Sequence, residues 1–497
     1  MESGLGFQRT AADTHQCSSG LGSEKTKLVN NFLFLNPRPS TLSPVLRSKT
    51  MCGIFGISDN KDASKLNYVG LFTLQHRGQE SAGMAVDSSD GIHYYNGMGL
   101  VSEVFSNEMF QTFKGKSAIG HVRYSTTGSS NVNNAQPLFF NSYLGQTAIA
   151  HNGNLTNAVS LRAKLQKQGA IFQTSTDSEV IIHLMAKYHS ASIEDTIVNN
   201  LSKLEGAYSF LFLSPGKMIG VRDPNGIRPL VLGKLGKSYI LSSETCAIEV
   251  VGGKIIREIE PGEIVVIEKG KIKFKKFSKA KKSARCIFEQ VYFARPDSVF
   301  SGRTVQSARY DIGRLLAKEI KNIKADIVSG VPDSGTAYAL GFAEESGLPY
   351  KTVFMRNRYT GRSFIQPNQK IREFTAHLKL APIRDAIKGK TIILIDDSLV
   401  RGTTSKKIIR NLKKAGAKRI IMLIGSPAIT NSCYYGIDTP TKKELIASKF
   451  KIEGIRKFID ADALHYLSLK NLIKACGYGK DTGFCTACFT GKYPTKI

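Results

Sequence analysis

Residues 391–405, TIILIDDSLVRGTTS, restrict the fold of this chain more than any other stretch. Residues 391–395 form an apolar run rich in β-branched side chains, long enough for a buried strand and too short for a core helix. Apolar on both faces, the run reads as a strand of a parallel sheet in an α/β fold. Asp396 and Asp397 sit where that strand ends. Arg401, Gly402, Thr403 and Thr404 come next, and a helical pattern over 406–415 closes at Gly416. In open α/β sheets, ligands bind beyond the carboxyl ends of the strands.

The residue types in that loop suit a sugar phosphate. Glycine lets a phosphate approach the backbone, while hydroxyls and N–H groups at a helix start donate to its oxygens and the helix dipole favours its charge. Thr403 and Thr404 would hold a 5′-phosphate; the adjacent carboxylates would hold ribose hydroxyls or a Mg²⁺ ion carrying pyrophosphate. A Rossmann-like loop with solvated acids fits the same pattern. The whole string resembles the phosphoribosyl pyrophosphate (PRPP) motif of the type I phosphoribosyltransferases. A second piece agrees: a strand over 325–330 runs into Val331, Pro332, Asp333, Ser334 and Gly335, followed by a helix over 336–345. In that family the second loop takes the pyrophosphate. Residues 356–372 between the loops are polar and basic and include Tyr359, Gly361 and Pro367, the character either of an exposed loop or of the family's closing lid. The resemblance thus implies PRPP contacts at Asp333, Ser334, Gly335, Tyr359, Asp396, Asp397, Arg401, Gly402, Thr403 and Thr404. It also implies one Mg²⁺ per subunit on Ser334, Asp396 and Asp397.

The first half carries a different set of motifs. Met51-Cys52-Gly53-Ile54-Phe55-Gly56 alone reads as an inert buried thiol at a strand start. Downstream come Gln75-His76-Arg77-Gly78, a run from Gly120 through Arg123 to Thr126, Ala150-His151-Asn152-Gly153-Asn154, and Ser175-Thr176-Asp177-Ser178. In this order they resemble the class II glutamine amidotransferases, whose nucleophile is an N-terminal cysteine. With Cys52 as first residue, its free α-amino group can take the thiol proton. The resemblance makes Cys52 the nucleophile, with the Asn152 side chain and the Gly153 N–H as oxyanion donors. Arg123, Thr126 and Asp177 then hold the glutamine carboxylate and ammonium. Taken singly, Arg123 suits a surface ion pair and Asp177 a helix N-cap. Strand patterns at 208–213, 218–221, 230–233 and 264–268, with helices at 68–74 and 180–188, suit the four-layer αββα sandwich of N-terminal-nucleophile enzymes.

A chain of 497 residues, 41% hydrophobic and 22% charged, has room for two or three ordinary cores. No apolar run reaches membrane-spanning length. The net charge of +29 is spread along the chain, which favours polyanionic substrates rather than a nucleic-acid footprint. Its densest run, 269–282, reads as a solvated linker. The expected domains are a leader over 1–51, an amidotransferase domain over 52–281, a phosphoribosyltransferase domain over 282–470 and a C-terminal segment over 471–497. The leader suits a propeptide, an organelle transit peptide or a start codon called too early, so the expected compartment is the cytoplasm, or an organelle such as a plastid if it is a transit peptide.

Eight cysteines in so long a chain indicate a reduced compartment rather than a disulfide scaffold. Cys485 and Cys488 form a lone C-x-x-C, compatible with zinc, a redox pair or nothing. Residues 285–298 join the two halves, and the combination resembles the glutamine-dependent phosphoribosyltransferase family that begins purine synthesis. Cys286 and Cys433 lie in stretches matching its iron–sulfur subgroup, which implies one 4Fe–4S cluster per subunit on Cys286, Cys433, Cys485 and Cys488; four thiolates would also suit zinc. The family implies glutamine and PRPP as substrates, purine nucleotides as feedback inhibitors and a homotetramer, with no nucleic-acid or membrane partner. A non-catalytic nucleotide sensor and a base phosphoribosyltransferase with a regulatory N-domain are the rival readings.

Overall fold

The computed structural model describes residues 51–124, 130–278, 283–320, 323–357, 380–437, 439–477 and 483–497. The leader, Thr126, Tyr359 and most of the expected lid lie outside the described residues.

The first half is built on two antiparallel sheets. Seven strands run in the order Lys254–Glu258, Val231–Leu235, Ser238–Ser242, Gly53–Ile57, Ser117–Arg123, Ser81–Ser88 and Gly91–Met98. Six more run in the order Lys271–Lys276, Glu263–Glu268, Lys217–Arg222, Gly206–Ser214, Gly145–Leu155 and Leu138–Ser142. Side chains alternate across a strand, so Ile54 joins the layer between the sheets with Ile119, Leu211 and Leu241, while Phe55 and Ile57 face the opposite way. There they meet Leu71 of the helix Ala63–Thr73 and Ile248 of the helix Thr245–Val250. Helices Glu179–Lys187 and Ile193–Leu201 cover the outer face of the second sheet through Ile181, Leu184 and Ile197. The four layers are α, β, β and α, as expected.

The lysine-rich run departs from expectation. Residues Lys271–Lys276 are an edge strand paired antiparallel with Glu263–Glu268 rather than a linker. Ile272 and Phe274 alternate with lysines, and Lys269 and Gly270 supply the tight turn. Lysine on an edge strand also blocks pairing with another chain.

The second half has a four-stranded parallel sheet in the order Ile327–Gly330, Thr391–Asp396, Arg419–Ile424 and Ala463–Tyr466. Ile393 and Ile395 face one core with Ile312 and Tyr338, from helices Val305–Glu319 and Gly335–Ser346. Ile392 and Leu394 face the other with Ile409 and Ile455, from helices Thr403–Lys414 and Ile452–Ile459. This two-sided burial is why the strand reads as unbroken apolar sequence. Truncating Ile393, fully buried, to alanine would cost about 2–5 kcal/mol. The first core also takes in Met51, Ala207 and Ile227 from the sandwich half, so the halves share a hydrophobic interior.

Candidate active sites

In the parallel-sheet half, the helix expected from residue 406 begins at Thr403, because Gly402 adopts φ 73° and turns the chain directly into it. Thr403 and Thr404 therefore occupy the first helical turn, where unpaired N–H groups face an anion. Gly402 is also hemmed in by Ile446 and Ile459, which a side chain at 402 would strike. Asp396 and Asp397 close the strand as expected. The Asp397 carboxylate accepts from Ser334 Oγ at 2.7 Å and from the Ser398 hydroxyl, and Asp396 Oδ1 accepts the Asp397 N–H at 2.9 Å. The two phosphate loops thus meet through Ser334 and Asp397. Asp333 pairs with Arg356, and Arg401 pairs with Glu444 at 3.1 Å. Ser334, Asp396 and Asp397 offer only oxygen donors, which fits Mg²⁺.

Tyr292 escaped the sequence reading. Burial raises its phenol above the ordinary range, and the charges of Asp397 and Asp396 raise it further. Nothing in a lone tyrosine signals this, since the two acids lie about a hundred residues away in sequence.

In the sandwich half, Cys52 sits at the head of the central strand Gly53–Ile57, 9% exposed, with Sγ 3.8 Å from the Tyr124 carbonyl. Burial raises its thiol; the Tyr124 backbone and Arg123 oppose that, while Asp177 and Glu80 add to it. The net effect is upward, so the thiol needs a base. Arg123, 3% exposed, pairs with Glu80 at 3.2 Å. Burial alone would raise the Asp177 carboxyl, but His151, the Leu155 N–H at 2.8 Å and the Ser178 hydroxyl outweigh it and keep it ionised. Asp177 does not cap the following helix: Ser178 holds the N-cap position, without a side-chain cap. The local helix is bound instead through Glu179, which accepts the N–H groups of Gln173 and Thr174.

Asn152 and Gly153 lie on the strand Gly145–Leu155. Asn152 Nδ2 donates to Ser243 Oγ at 3.3 Å, and that hydroxyl also accepts the Ile54 N–H at 3.0 Å, so Asn152 and the strand that follows Cys52 share one anchor. His121 donates from Nε2 to the His151 carbonyl at 3.0 Å, and burial lowers its imidazole to about 3, leaving it neutral. The structure therefore gathers Cys52, Arg123 and Asp177 and ties Asn152 to the same sheet. Residues from the other half close over the loop: Asn154 Nδ2 donates to the Tyr434 carbonyl at 2.9 Å, and Gly436 packs against Gly153 so closely that a Cβ at 436 would lie 2.8 Å from the Gly153 carbonyl.

The four expected cluster cysteines line one small cavity with Ile227, Arg228, Phe288, Tyr435 and Tyr493. All four are free thiols. The C-terminal segment reaches them by parallel pairing of Phe484–Cys485 with Arg285–Cys286, and by the Cys488 carbonyl accepting the N–H groups of Thr430 and Asn431 at 3.0 and 3.1 Å. Burial raises the Cys286 thiol to about 11, even beside the Arg228 guanidinium. Among the described residues no group of three or more His, Cys, Asp or Glu stands close enough together to hold a metal ion. Four thiols lining one cavity are a donor set of the kind that a 4Fe–4S cluster or a structural zinc ion uses. Arg228 lines this cavity, and its Nη2, buried and without a hydrogen-bond partner among the described residues, is a donor that a thiolate or sulfide within reach would satisfy. The residues present fit the cluster.

A sandwich with a buried cysteine at the head of its central strand, fused to a parallel sheet with a phosphate loop and paired acids, defines a glutamine amidotransferase joined to a phosphoribosyltransferase. Residues 121–250 match the glutamine amidotransferase domain family and residues 304–429 the phosphoribosyl transferase domain family. The amidophosphoribosyltransferase of Bacillus subtilis is 47% identical over 450 residues, 90% of this chain and 94% of that protein. That of Methanocaldococcus jannaschii is 47% identical over 466 residues, covering 90% and 98%. Amidophosphoribosyltransferase 1, chloroplastic, of Arabidopsis thaliana is 45% identical over 448 residues, covering 90% and 79%. The solved glutamine PRPP amidotransferase of B. subtilis, complexed with ADP and GMP, superposes with a TM-score of 0.85 at 47% identity, over 90% of this chain and 98% of that one. The chain belongs to the amidophosphoribosyltransferase family. It is a transferase of purine biosynthesis combining glutamine amidotransferase and pentosyltransferase halves. Among the described residues no helix is long and apolar enough to cross a membrane.

Proposed function

We propose that the chain converts glutamine, PRPP and water to 5-phosphoribosylamine, glutamate and pyrophosphate with the following division of labour. Arg123 takes the glutamine carboxylate and Asp177 its ammonium, with Thr126 completing the pocket. The Cys52 α-amine, free once residues 1–51 are removed, accepts the thiol proton, and Sγ attacks the carboxamide carbon. The Asn152 side chain and the Gly153 N–H donate to the oxyanion. Breaking the C–N bond releases ammonia and leaves a thioester, which water hydrolyses to glutamate and free thiol. In the other half, Thr403, Thr404 and Gly402 hold the 5′-phosphate beside Arg401, Asp396 and Asp397 orient the ribose, and Asp333, Ser334 and Gly335 hold the pyrophosphate, with Tyr359 contributing from the lid. Ammonia attacks C1 as pyrophosphate departs. Mg²⁺, when held by Ser334, Asp396 and Asp397, would offset charge on the leaving pyrophosphate.

One observation carries this reading: the oxyanion loop at Gly153 and Asn154 is packed against Tyr434 and Gly436 of the phosphoribosyltransferase half. Ammonia made at Cys52 is thus released inside one body rather than into bulk solvent. The reading also takes one 4Fe–4S cluster on Cys286, Cys433, Cys485 and Cys488, supported by their common cavity. It includes purine nucleotides as feedback inhibitors, supported by the nucleotides in the B. subtilis relative. It further takes a homotetramer, and a cytoplasmic location or a plastid one if the leader is a transit peptide, as in the chloroplastic relative. Glutamate release from glutamine, assayed with and without PRPP, tests the reading. The expected result is release that depends on PRPP and matches pyrophosphate one for one. A protein that binds PRPP without either product is a sensor; one that turns over PRPP with a purine base and no glutamine is a base phosphoribosyltransferase.

A further inference from the structure

Two buried arginines stand between the thiol cavity and the nucleophile. Arg228 lies wholly out of solvent and donates from Nε to the Tyr435 carbonyl at 2.9 Å and from Nη1 to Glu289 Oε1 at 3.2 Å. Nη1 also lies 2.6 Å from Sδ of Met51, a contact that ends when residues 1–51 are removed; Arg228 lines the thiol cavity, and its Nη2 is buried without a hydrogen-bond partner among the described residues. Glu289 receives Arg77 at both oxygens, from Nη2 to Oε1 and from Nη1 to Oε2, each at 2.9 Å. Arg77, likewise fully buried, donates from Nε to the carbonyl of Cys52 at 2.9 Å. Glu244 braces the far side, 2.5 Å from Arg77 Nη1 and 2.7 Å from His76 Nε2. An unbroken run of charged hydrogen bonds therefore leads from the cavity to the peptide unit of Cys52.

We infer that Arg228 is a positioning residue for the nucleophile: filling the thiol cavity gives its free Nη2 an acceptor, and through Glu289 and Arg77 this fixes the placement of Cys52. The inference rests on the reading of the four thiols as a cluster site. With the cavity filled by an anionic, thiolate-held group, Arg228 is held at three sides and Glu289 is divided between two guanidinium groups in one geometry. With the cavity empty, Nη2 lacks a partner, which is costly for a buried donor, and the guanidinium is free to shift toward Glu289 and loosen its bidentate grip on Arg77. Charged hydrogen bonds of this kind are the strong, directional ones, so the displacement is passed on rather than absorbed. The run ends at the peptide unit of Cys52, so the effect is read in glutamine use.

The test uses the mature protein beginning at Cys52, prepared without oxygen, in wild-type, Arg228→Lys and Arg228→Met forms, each with its iron retained or removed by a chelator. Three quantities are read: iron content with the reduction potential of the cluster, the rate at which a glutamine-mimicking chloroketone alkylates Cys52, and synthesis from free ammonia as a check on folding. The expected wild-type result is alkylation at least about tenfold faster with iron than without, a difference that 1.4 kcal/mol produces. Arg228→Met should bring that ratio close to one and lower the cluster potential, because a cation beside the cluster is lost; Arg228→Lys, which keeps the charge but not the fork, should restore the potential more than the ratio. Ammonia-dependent synthesis should stay within about twofold throughout. A wild-type ratio unchanged in Arg228→Met, with iron bound, overturns the inference while leaving the cluster intact. Failure of the wild type to take up iron overturns both the cluster reading and the inference, and if Arg228→Met does not fold, an equal ratio in wild type and Arg228→Lys overturns it.

Discussion

Replacing Gly153 with alanine probes the oxyanion site at a point where the structure sets the cost. Gly153 has φ 150°, and an added Cβ would lie 2.0 Å from the Ala207 carbonyl oxygen and 2.9 Å from His151 Nε2. The first of these atoms is backbone in the paired strand Gly206–Ser214, where Asn154 is registered with Ala207, so relief requires the end of the strand Gly145–Leu155 to move rather than a side chain to turn. A non-glycine residue in such a conformation costs on the order of 1–3 kcal/mol. Moving the loop takes the residue-153 N–H off the oxyanion, and loss of one such donor lowers kcat by about 10²–10³-fold, or ~2.7–4 kcal/mol. The assay is steady-state synthesis with glutamine or with ammonium as nitrogen source. Glutamine-dependent kcat should fall by about two to three orders of magnitude, while ammonia-dependent kcat stays within severalfold. Equal loss with both nitrogen sources would show that the loop is structural and not an oxyanion site.

Asp397→Asn should abolish PRPP turnover with either nitrogen source, because the amide gives Ser334 and Ser398 a different set of partners and removes one charge from the proposed Mg²⁺ site; full ammonia-dependent synthesis in that variant would refute its role. Glu179 has its carboxyl lowered from 4.5 to about 2: burial opposes this, and hydrogen bonds from His183, Gln173 and Thr174 outweigh it. Its stabilising contribution is therefore complete above pH 4.5 and is lost as pH falls toward about 2. The difference in thermal midpoint between wild type and Glu179→Gln should shrink across that window, and a constant difference would contradict the assignment. Cys433→Ser and Cys488→Ser should each lower iron content sharply in anaerobic preparations, measured by metal analysis, with proteolysis of the segment after 483 quickening; full iron in either variant would remove that thiol from the ligand set.

Both phosphate loops were legible because their information is local. A strand buried on two faces has to be continuously apolar, and the acids at Asp396 and Asp397 stand at its end whatever the rest of the chain does. The sandwich motifs were legible for a related reason: Cys52, Arg123 and Asn152 each sit beside glycine or on a strand end in a short recognisable string, and Asp177 stands in a Ser-Thr-Asp-Ser string just before a helix. The residues that join the two halves were not. Arg77, Arg228, Glu244 and Glu289 are far apart in sequence and look like ordinary surface charges until folding buries them against one another. Tyr292 is hidden in the same way. The lysine run at 271–276 was misread because its charge outweighed its alternation; Ile272 and Phe274 at period two, after Lys269 and Gly270, were the available sign of a hairpin. The Asp177 cap failed because its carboxylate is taken by Leu155 and His151 across the fold, contacts that no local pattern encodes.

The central claim is that nitrogen freed at Cys52 is delivered to the sugar phosphate in the other half, and Cys52→Ala assayed with PRPP and either nitrogen source tests it most directly. The account predicts no 5-phosphoribosylamine from glutamine and near wild-type synthesis from ammonium. Persistent synthesis from glutamine would remove Cys52 as the nucleophile, and loss of both activities would contradict the separation of the two sites.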